Sequence, residues 1–134
     1  MIRLVDAVNY SKVYVDIAQY IKMLPKGWDG DKAPSGDEYP IDEALNLLHW
    51  LREKGMPVPW VYATKRRSIQ FEWDMKNKDY FEVEVYYHFV SVFRVTNPQL
   101  YTYHTDKQDY KHQDIIFEQI ERWNLGLPFL VKAV

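Results

Sequence analysis

Two histidines near the carboxyl end of the sequence are the side chains best suited to acid–base or metal chemistry. His104 and His112, with Asp106 between them, have the composition of a metal site or of a general acid and base. Their spacing matches no His-x-x-x-His pair of a helix, and the chain has no cysteine to supply a thiolate. The composition of this segment makes a small metal-dependent enzyme one alternative function. Because the spacing does not match a known metal motif, the function that we favour has no catalytic residue, metal or cofactor.

The sequence Trp28-Asp29-Gly30-Asp31 is the most unusual local feature, and it lies in a Gly- and Pro-rich loop from Pro25 to Pro40. Two carboxylates one residue apart could hold a hard cation or a sugar hydroxyl, but the further acid and glycine of an EF-hand do not follow. In the structural interpretation, Trp28 anchors the loop on a sheet and Asp29 accepts backbone N–H bonds in an Asx turn. The preference of Asp and Gly for turns favours the structural interpretation.

Acidic residues are concentrated between residues 29 and 43, where six of them accompany a single lysine and give a charge of −5. Such a surface could meet a basic protein surface or imitate nucleic-acid phosphates, or it could be a solvated face that complements a helix dipole. Exposed tyrosines add contact area at little entropic cost, although Tyr also suits a half-buried sheet face. The residues that we assign to a protein-binding surface are Trp28, Asp29, Asp31, Asp37, Glu38, Tyr80 and Tyr86.

A short basic run, Lys65-Arg66-Arg67, suggests a different kind of partner. Basic side chains near aromatic residues could form a platform for single-stranded nucleic acid, on which charge and base stacking act together. The net charge of −2 and the pI near 6.1 argue against that role, and basic hairpin tips also serve solubility. A nucleic-acid-binding accessory protein that uses Lys65, Arg66 and Arg67 is the second alternative function.

The helices that must position these residues follow from the spacing of apolar side chains. Apolar residues recur every three or four positions in three segments, which predicts three amphipathic helices. Ser11 is the expected N-cap of the first helix, and Gly55 is the expected left-handed C-cap of the second. The predicted helices are Val13 to Leu24, Ile41 to Lys54 and Ile115 to Asn124.

Alternation of apolar and polar residues predicts an antiparallel sheet in the middle of the chain. Lys65-Arg66-Arg67 is expected to form a hairpin turn, and Tyr87-His88 a tight reversal. Residues 100–113 are polar and rich in tyrosine, and their conformation stays open between strand and loop. The predicted strands are Val58 to Thr64, Ser68 to Trp73, Tyr80 to Tyr86 and Phe89 to Val95.

Length and composition complete the prediction of the fold. A chain of 134 residues with 47% hydrophobic and 27% charged residues is typical of one globular domain, here residues 1–134. We therefore predict a single α+β domain in which an antiparallel meander of about four strands packs against two or three helices. The absence of cysteine and of a long apolar run favours a cytoplasmic protein with no membrane contact.

Three short motifs also occur in a suggestive order: Gly27-Trp28-Asp29-Gly30, then Pro57-Val58-Pro59, then Ile69-Gln70-Phe71-Glu72-Trp73. This order resembles a loosely defined group of small bacterial and mobile-element proteins, which often has a Gly-containing turn in place of Lys65-Arg66-Arg67. The resemblance implies an α+β fold and, from the occurrence of the group on mobile elements, a role in binding a partner; it implies hardly any chemistry. The function that we predict is a non-catalytic protein-binding module, such as a phage or mobile-element inhibitor of a host protein machine.

Overall fold

The computed structural model describes residues 10–74, 80–96 and 99–106, together with the helical positions Glu118 and Glu121. Within these ranges, two helices and a short 3-10 helix, Gly36–Glu38, accompany an antiparallel sheet, which confirms the predicted α+β class. The rest of the predicted last helix and His112 lie outside the described residues. None of the helices within the described ranges is long and apolar enough to cross a membrane.

The first helix, α1, covers residues 10–21 and changes its winding halfway along. It is α-helical at residues 10–15 and π-helical at Asp16–Ile21, where the wider turn is a local irregularity often found near functional sites. Val13, Ile17 and Ile21 are buried at a spacing of four residues, as the amphipathic pattern predicts. The helix ends before the predicted end at Leu24.

The described part of α1 begins at Tyr10, which contacts the segment that leads into the sheet. The hydroxyl of Tyr10 donates to the carbonyl oxygen of Met56 at 2.6 Å, and Nε1 of Trp73 donates to the carbonyl oxygen of Pro57 at 2.8 Å. Burial raises the pKa of Tyr10 to about 12. Because Tyr10 is already helical, the prediction of Ser11 as the N-cap is wrong: this tertiary contact extends the helix past the residue that local preference favours.

The second helix, α2, spans Ile41–Glu53 and confirms the prediction to within one residue. Gly55 has a φ of 75°, the left-handed conformation expected just beyond a helix. Leu45 is half-buried and packs against the hydrophobic core. The buried residues of α2 are Ala44, Leu47, Leu48 and Leu51.

The sheet is an antiparallel meander in which each strand pairs with the next along the chain. Its strands are β1 (Trp60–Ala63), β2 (Ile69–Asp74), β3 (Tyr80–Val85), β4 (Phe89–Thr96) and β5 (Gln99–Asp106). The four predicted strands and the reversal at Tyr87-His88 are confirmed, and β5 occupies part of the segment whose conformation the sequence left open. Within the described residues, β1 and β5 are therefore the two edges of the sheet.

The two faces of the sheet differ sharply in polarity. Two rows of buried apolar side chains cross β2, β3 and β4 on the face that meets the helices. These rows are Ile69–Val85–Val90 and Phe71–Val83–Val92. The opposite face, called the outer face below, carries the polar side chains of the same strands, among them Gln70, Glu72, Glu82 and Glu84. The sequence alternation therefore predicts correctly which face forms the core.

Candidate functional site

The loop of residues 25–40 is a folded part of the domain. The N–H of Gly27 donates to the carbonyl oxygen of Ala33 at 2.8 Å, and this bond closes the loop on itself. Trp28 is half-buried, and its Nε1 donates to the hydroxyl of Tyr39 at 3.3 Å. Trp28 is thus held within the loop, and the link to the sheet is made by Tyr39, whose hydroxyl donates to the carbonyl oxygen of Thr64 at 2.5 Å.

Asp29 uses its carboxylate within the loop. Its Oδ1 accepts the N–H groups of Asp31 at 3.0 Å and of Ala33 at 3.2 Å, while Nζ of Lys65 lies 3.4 Å from Oδ2. Burial opposes ionisation, but the two N–H bonds and Lys65 outweigh it and lower the pKa of Asp29. The predicted Asx turn is confirmed, and Asp31 itself is exposed.

Glu38 has a similar role at the end of the 3-10 helix. The N–H of Ser35 donates to Oε2 of Glu38 at 3.1 Å, and Nε of Arg67 donates to Oε1 at 3.0 Å. These two bonds lower the pKa of Glu38. Asp37 is exposed and accepts the hydroxyl of Ser35, so that both acids help to shape this turn.

Each cation of the basic turn faces a carboxylate of this chain. Lys65 pairs with Asp29 and Arg67 with Glu38, and these four residues are called the acid–base contact below. Arg66 turns to the outer face, where its guanidinium donates twice to Oε2 of Glu84, at 2.9 and 3.1 Å. The structure therefore joins residues that the sequence assigned to two rival surfaces, one for protein and one for nucleic acid.

Tyr80 and Tyr86, the two tyrosines assigned to the protein-binding surface, interact with carboxylates of the outer face. The hydroxyl of Tyr80 donates to Oε1 of Glu82 at 2.7 Å, and burial together with Glu82 raises the pKa of Tyr80. Burial also raises the pKa of Glu82. Tyr86 stacks on Phe89 with ring centroids 4.2 Å apart. The predicted tyrosines therefore have their partners on the sheet and not in the acidic loop.

The proposed acid–base and metal residues are only partly described. His104 and Asp106 lie in β5, where their Cα partners are Ser91 and Phe89 of β4. Among the described residues, no group of three or more acidic or histidine side chains could hold a metal ion. His49 is exposed on α2, and its Nε2 lies 3.0 Å from Oε1 of Glu53 on the same helix.

A surface that the sequence analysis missed surrounds α1 and β1. Five of the seven large hydrophobic side chains that are exposed in the described ranges lie there. Trp60 is 68% exposed, Tyr20 is 66% exposed and Met23 is 77% exposed. The apolar segment from Val58 to Thr64 assigns Trp60 to a strand, but it cannot show that the strand lies at an edge. The five residues are Val15, Tyr20, Met23, Trp60 and Tyr62.

A groove runs between α1 and β1, and three of these side chains line it: Tyr20, Trp60 and Tyr62. One part, of about 450 Å³, lies between Val13 and Asp16 of α1 and the segment 58–61, and a second, of about 310 Å³, extends past Ile21 to Ala63. Both parts include Asp16 and Val61, so they form one feature, called the edge groove below. The π-helical turn of α1 forms part of its wall.

The β1 side of the edge groove presents backbone groups of Val61 and Ala63. The N–H of Thr64 donates to the carbonyl oxygen of Ser68 at 3.1 Å, which makes these two residues a hydrogen-bonded pair of the hairpin. Hydrogen-bonded and non-hydrogen-bonded pairs alternate along antiparallel strands, so the N–H and C=O groups of Val61 and Ala63 point away from β2. Within the described residues, no strand pairs with this side of β1.

Comparisons of the chain with protein-family models, with curated proteins and with solved structures gave no significant match. The resemblance carried by the Gly-Trp-Asp-Gly loop therefore stays a prediction. What the geometry defines is an α+β domain with a folded acidic loop, a polar outer face and an apolar groove beside an edge strand.

Proposed function

We propose that this protein is a non-catalytic protein-binding module and that the edge groove, with its exposed aromatic rim, is the contact surface. The observation that carries the proposal is the concentration of exposed Trp60, Tyr62 and Tyr20 around one edge of the sheet. Large apolar side chains grouped on a surface are typical of interaction sites, and Trp and Tyr are enriched among residues that dominate binding energy.

The acidic loop supports this function less well than the edge groove does. Asp29 and Glu38 are already paired with Lys65 and Arg67, so a basic partner would have to displace these cations. The same pairs weigh against a nucleic-acid platform, because phosphates would have to separate the cations from their carboxylates. Inhibition of a host protein machine is the more specific role that the resemblance implies, and it would need a surface of this kind.

A capture experiment with two matched double variants tests the proposal. The tagged protein is incubated with a cell lysate, and the retained proteins are compared with those retained by Trp60→Ser/Tyr62→Ser and by Asp31→Asn/Asp37→Asn. All four changes are at exposed positions, so circular dichroism should show both variants folded. We expect the aromatic variant to lose a partner that the acid variant keeps.

Two results would contradict the proposal. Retention of the same proteins by the aromatic variant would remove the edge groove as the contact surface. Specific, salt-dependent retention of the wild-type protein on single-stranded DNA, lost in Arg66→Gln/Arg67→Gln, would instead support the nucleic-acid alternative.

A further inference from the structure

We propose that the edge of β1 accepts an added strand: an extended segment of a partner protein in which apolar residues alternate with lysine or arginine. This inference rests on the proposed function and specifies the chemistry of the partner. Strand addition uses backbone hydrogen bonds for affinity and alternate side chains for specificity. The backbone, the groove and the outer face each supply one part of the argument.

The backbone of β1 is oriented to pair with another strand. Val61 and Ala63 direct their N–H and C=O groups away from β2, and they are separated by the two-residue repeat of an antiparallel ladder. An edge with unpaired groups is a template for strand addition unless charge, proline or a covering segment blocks it. The strand Trp60-Val61-Tyr62-Ala63 contains neither a charged residue nor proline.

The groove side of the edge selects apolar side chains. Side chains of an added strand that lie opposite Val61 and Ala63 would project on the same side as these residues, toward α1. There they would meet the half-buried Val61 and the α1 residues Val13 and Ile21. Lys12 and Asp16 of α1 also line this wall. Nζ of Lys12 lies 2.9 Å from Oδ2 of Asp16, so the two charges form an ion pair and neutralise each other.

The outer side of the edge selects a cation. Side chains opposite Trp60 would project on its side of the sheet, where Trp60 is followed across the strands by Glu72 and then Glu82. The aliphatic stem of a lysine or arginine could lie on the exposed indole of Trp60, with its charge toward Glu72. In the next row of the outer face, which begins at Tyr62, the carboxylate of Glu84 already accepts hydrogen bonds from the guanidinium of Arg66. The position opposite Trp60 is therefore where a positive charge should contribute most.

Synthetic peptides added to the full chain test the proposal directly. The probe is an eight-residue peptide of alternating valine and lysine with blocked ends, and binding is followed through the ¹⁵N-labelled amides of Val61 and Ala63. We expect saturable shifts of these two amides and binding that is about tenfold weaker for the valine–glutamate peptide. A peptide methylated on its backbone nitrogens at alternate positions should also bind about tenfold more weakly.

The variant Ala63→Pro provides a matched test on the protein side. Proline removes an N–H that points away from β2, so the β1–β2 ladder keeps its bonds while the added strand loses one. We expect this variant to remain folded and to bind the valine–lysine peptide more weakly. If it does not fold, the methylated peptide tests the same hydrogen bonds on the unmodified protein.

The possible outcomes separate this inference from the proposed function. Equal binding of methylated and unmethylated peptides would overturn strand addition, and equal binding of the lysine and glutamate peptides would overturn the cationic partner. Amide shifts that depend on protein concentration without peptide would assign the edge to a second copy and overturn the proposal. Slow hydrogen exchange at the amides of Val61 and Ala63 in the peptide-free monomer would show that the chain's own residues already pair with this edge. That result would also overturn the proposal. In all four cases, loss of the lysate partner in Trp60→Ser/Tyr62→Ser would still support protein binding.

Discussion

The acid–base contact and the edge groove lie on the same hairpin of the sheet, yet they use their residues in opposite ways. In the acid–base contact, charged side chains from the loop and from the turn between β1 and β2 find their partners within the chain. At the edge groove, the aromatic side chains are exposed, and the N–H and C=O groups of Val61 and Ala63 point away from β2. The difference teaches that a concentration of charge in a sequence can be a folding contact, whereas a short uncharged strand can keep its large side chains exposed.

The largest effect should come from Gly36, which closes the acidic loop against the end of α1. A Cβ at this position would lie 2.1 Å from the carbonyl oxygens of both Ile21 and Lys22, so that backbone would have to move. We expect Gly36→Ala to lower the free energy of unfolding by about 3 kcal/mol or more, measured by denaturant titration. Since the end of α1 lines the edge groove, this variant should also disturb that groove.

Gly30→Ala is the matched control for this prediction. Gly30 has a φ of 82° but no atom within 4 Å of a Cβ, so alanine adds backbone strain without a clash. We expect it to cost about 1 kcal/mol. Equal free energies of unfolding for Gly36→Ala and Gly30→Ala would contradict the close packing of Gly36 against the end of α1.

A smaller effect is expected from Asp29→Asn, which keeps the shape of the side chain and removes its charge. Because the pKa of Asp29 is lowered in the folded protein, its contribution to stability is present above the unfolded pKa near 4 and is lost as pH falls through the folded value. The variant should melt a few degrees below the wild-type protein at pH 7, and the difference should close in acid. Asp31→Asn, at an exposed position of the same loop, is the matched control and should melt close to the wild-type protein at pH 7.

The smallest effect is expected on the outer face, and it should have the opposite sign. Burial raises the pKa of Glu82, so the ionised form is less favoured in the folded protein, and stability declines as pH rises from the unfolded pKa through the folded value. Glu82→Gln should therefore melt slightly higher than the wild-type protein at pH 7 and equally at pH 3. A lower melting temperature at pH 7 would show that the ionised carboxylate stabilises the sheet.

Local patterns in the sequence were sufficient to predict α2 and the strands β1 to β4. The stripe of α2, its stop at Gly55 and the alternation from Ile69 to Val85 are local patterns, and local patterns carry over directly into helices and strands. The start of α1 was predicted wrongly because Tyr10 is held by Met56, a residue distant in the sequence. Segments without a clear period, such as β5, could not be assigned from pattern alone.

The candidate site was harder to predict because it depends on long-range neighbours. Nothing local pairs Lys65 with Asp29 or Arg67 with Glu38, so the sequence suggested two separate charged surfaces. The apolar run Trp60-Val61-Tyr62-Ala63 is visible in the sequence, but whether a strand lies at an edge is a property of the whole sheet. Partner surfaces of this kind become apparent only when packing has selected which side chains stay exposed.

The most direct test of the central claim compares partner capture and thermal stability for two double variants, Trp60→Ser/Tyr62→Ser and Asp29→Asn/Glu38→Gln. Both properties are measured on the same samples at pH 7, with capture well below the melting temperatures. We predict that the first variant loses the partner at unchanged stability, while the second melts at a lower temperature and keeps the partner. The opposite assignment, with capture lost only when Asp29 and Glu38 are neutralised, would contradict the account.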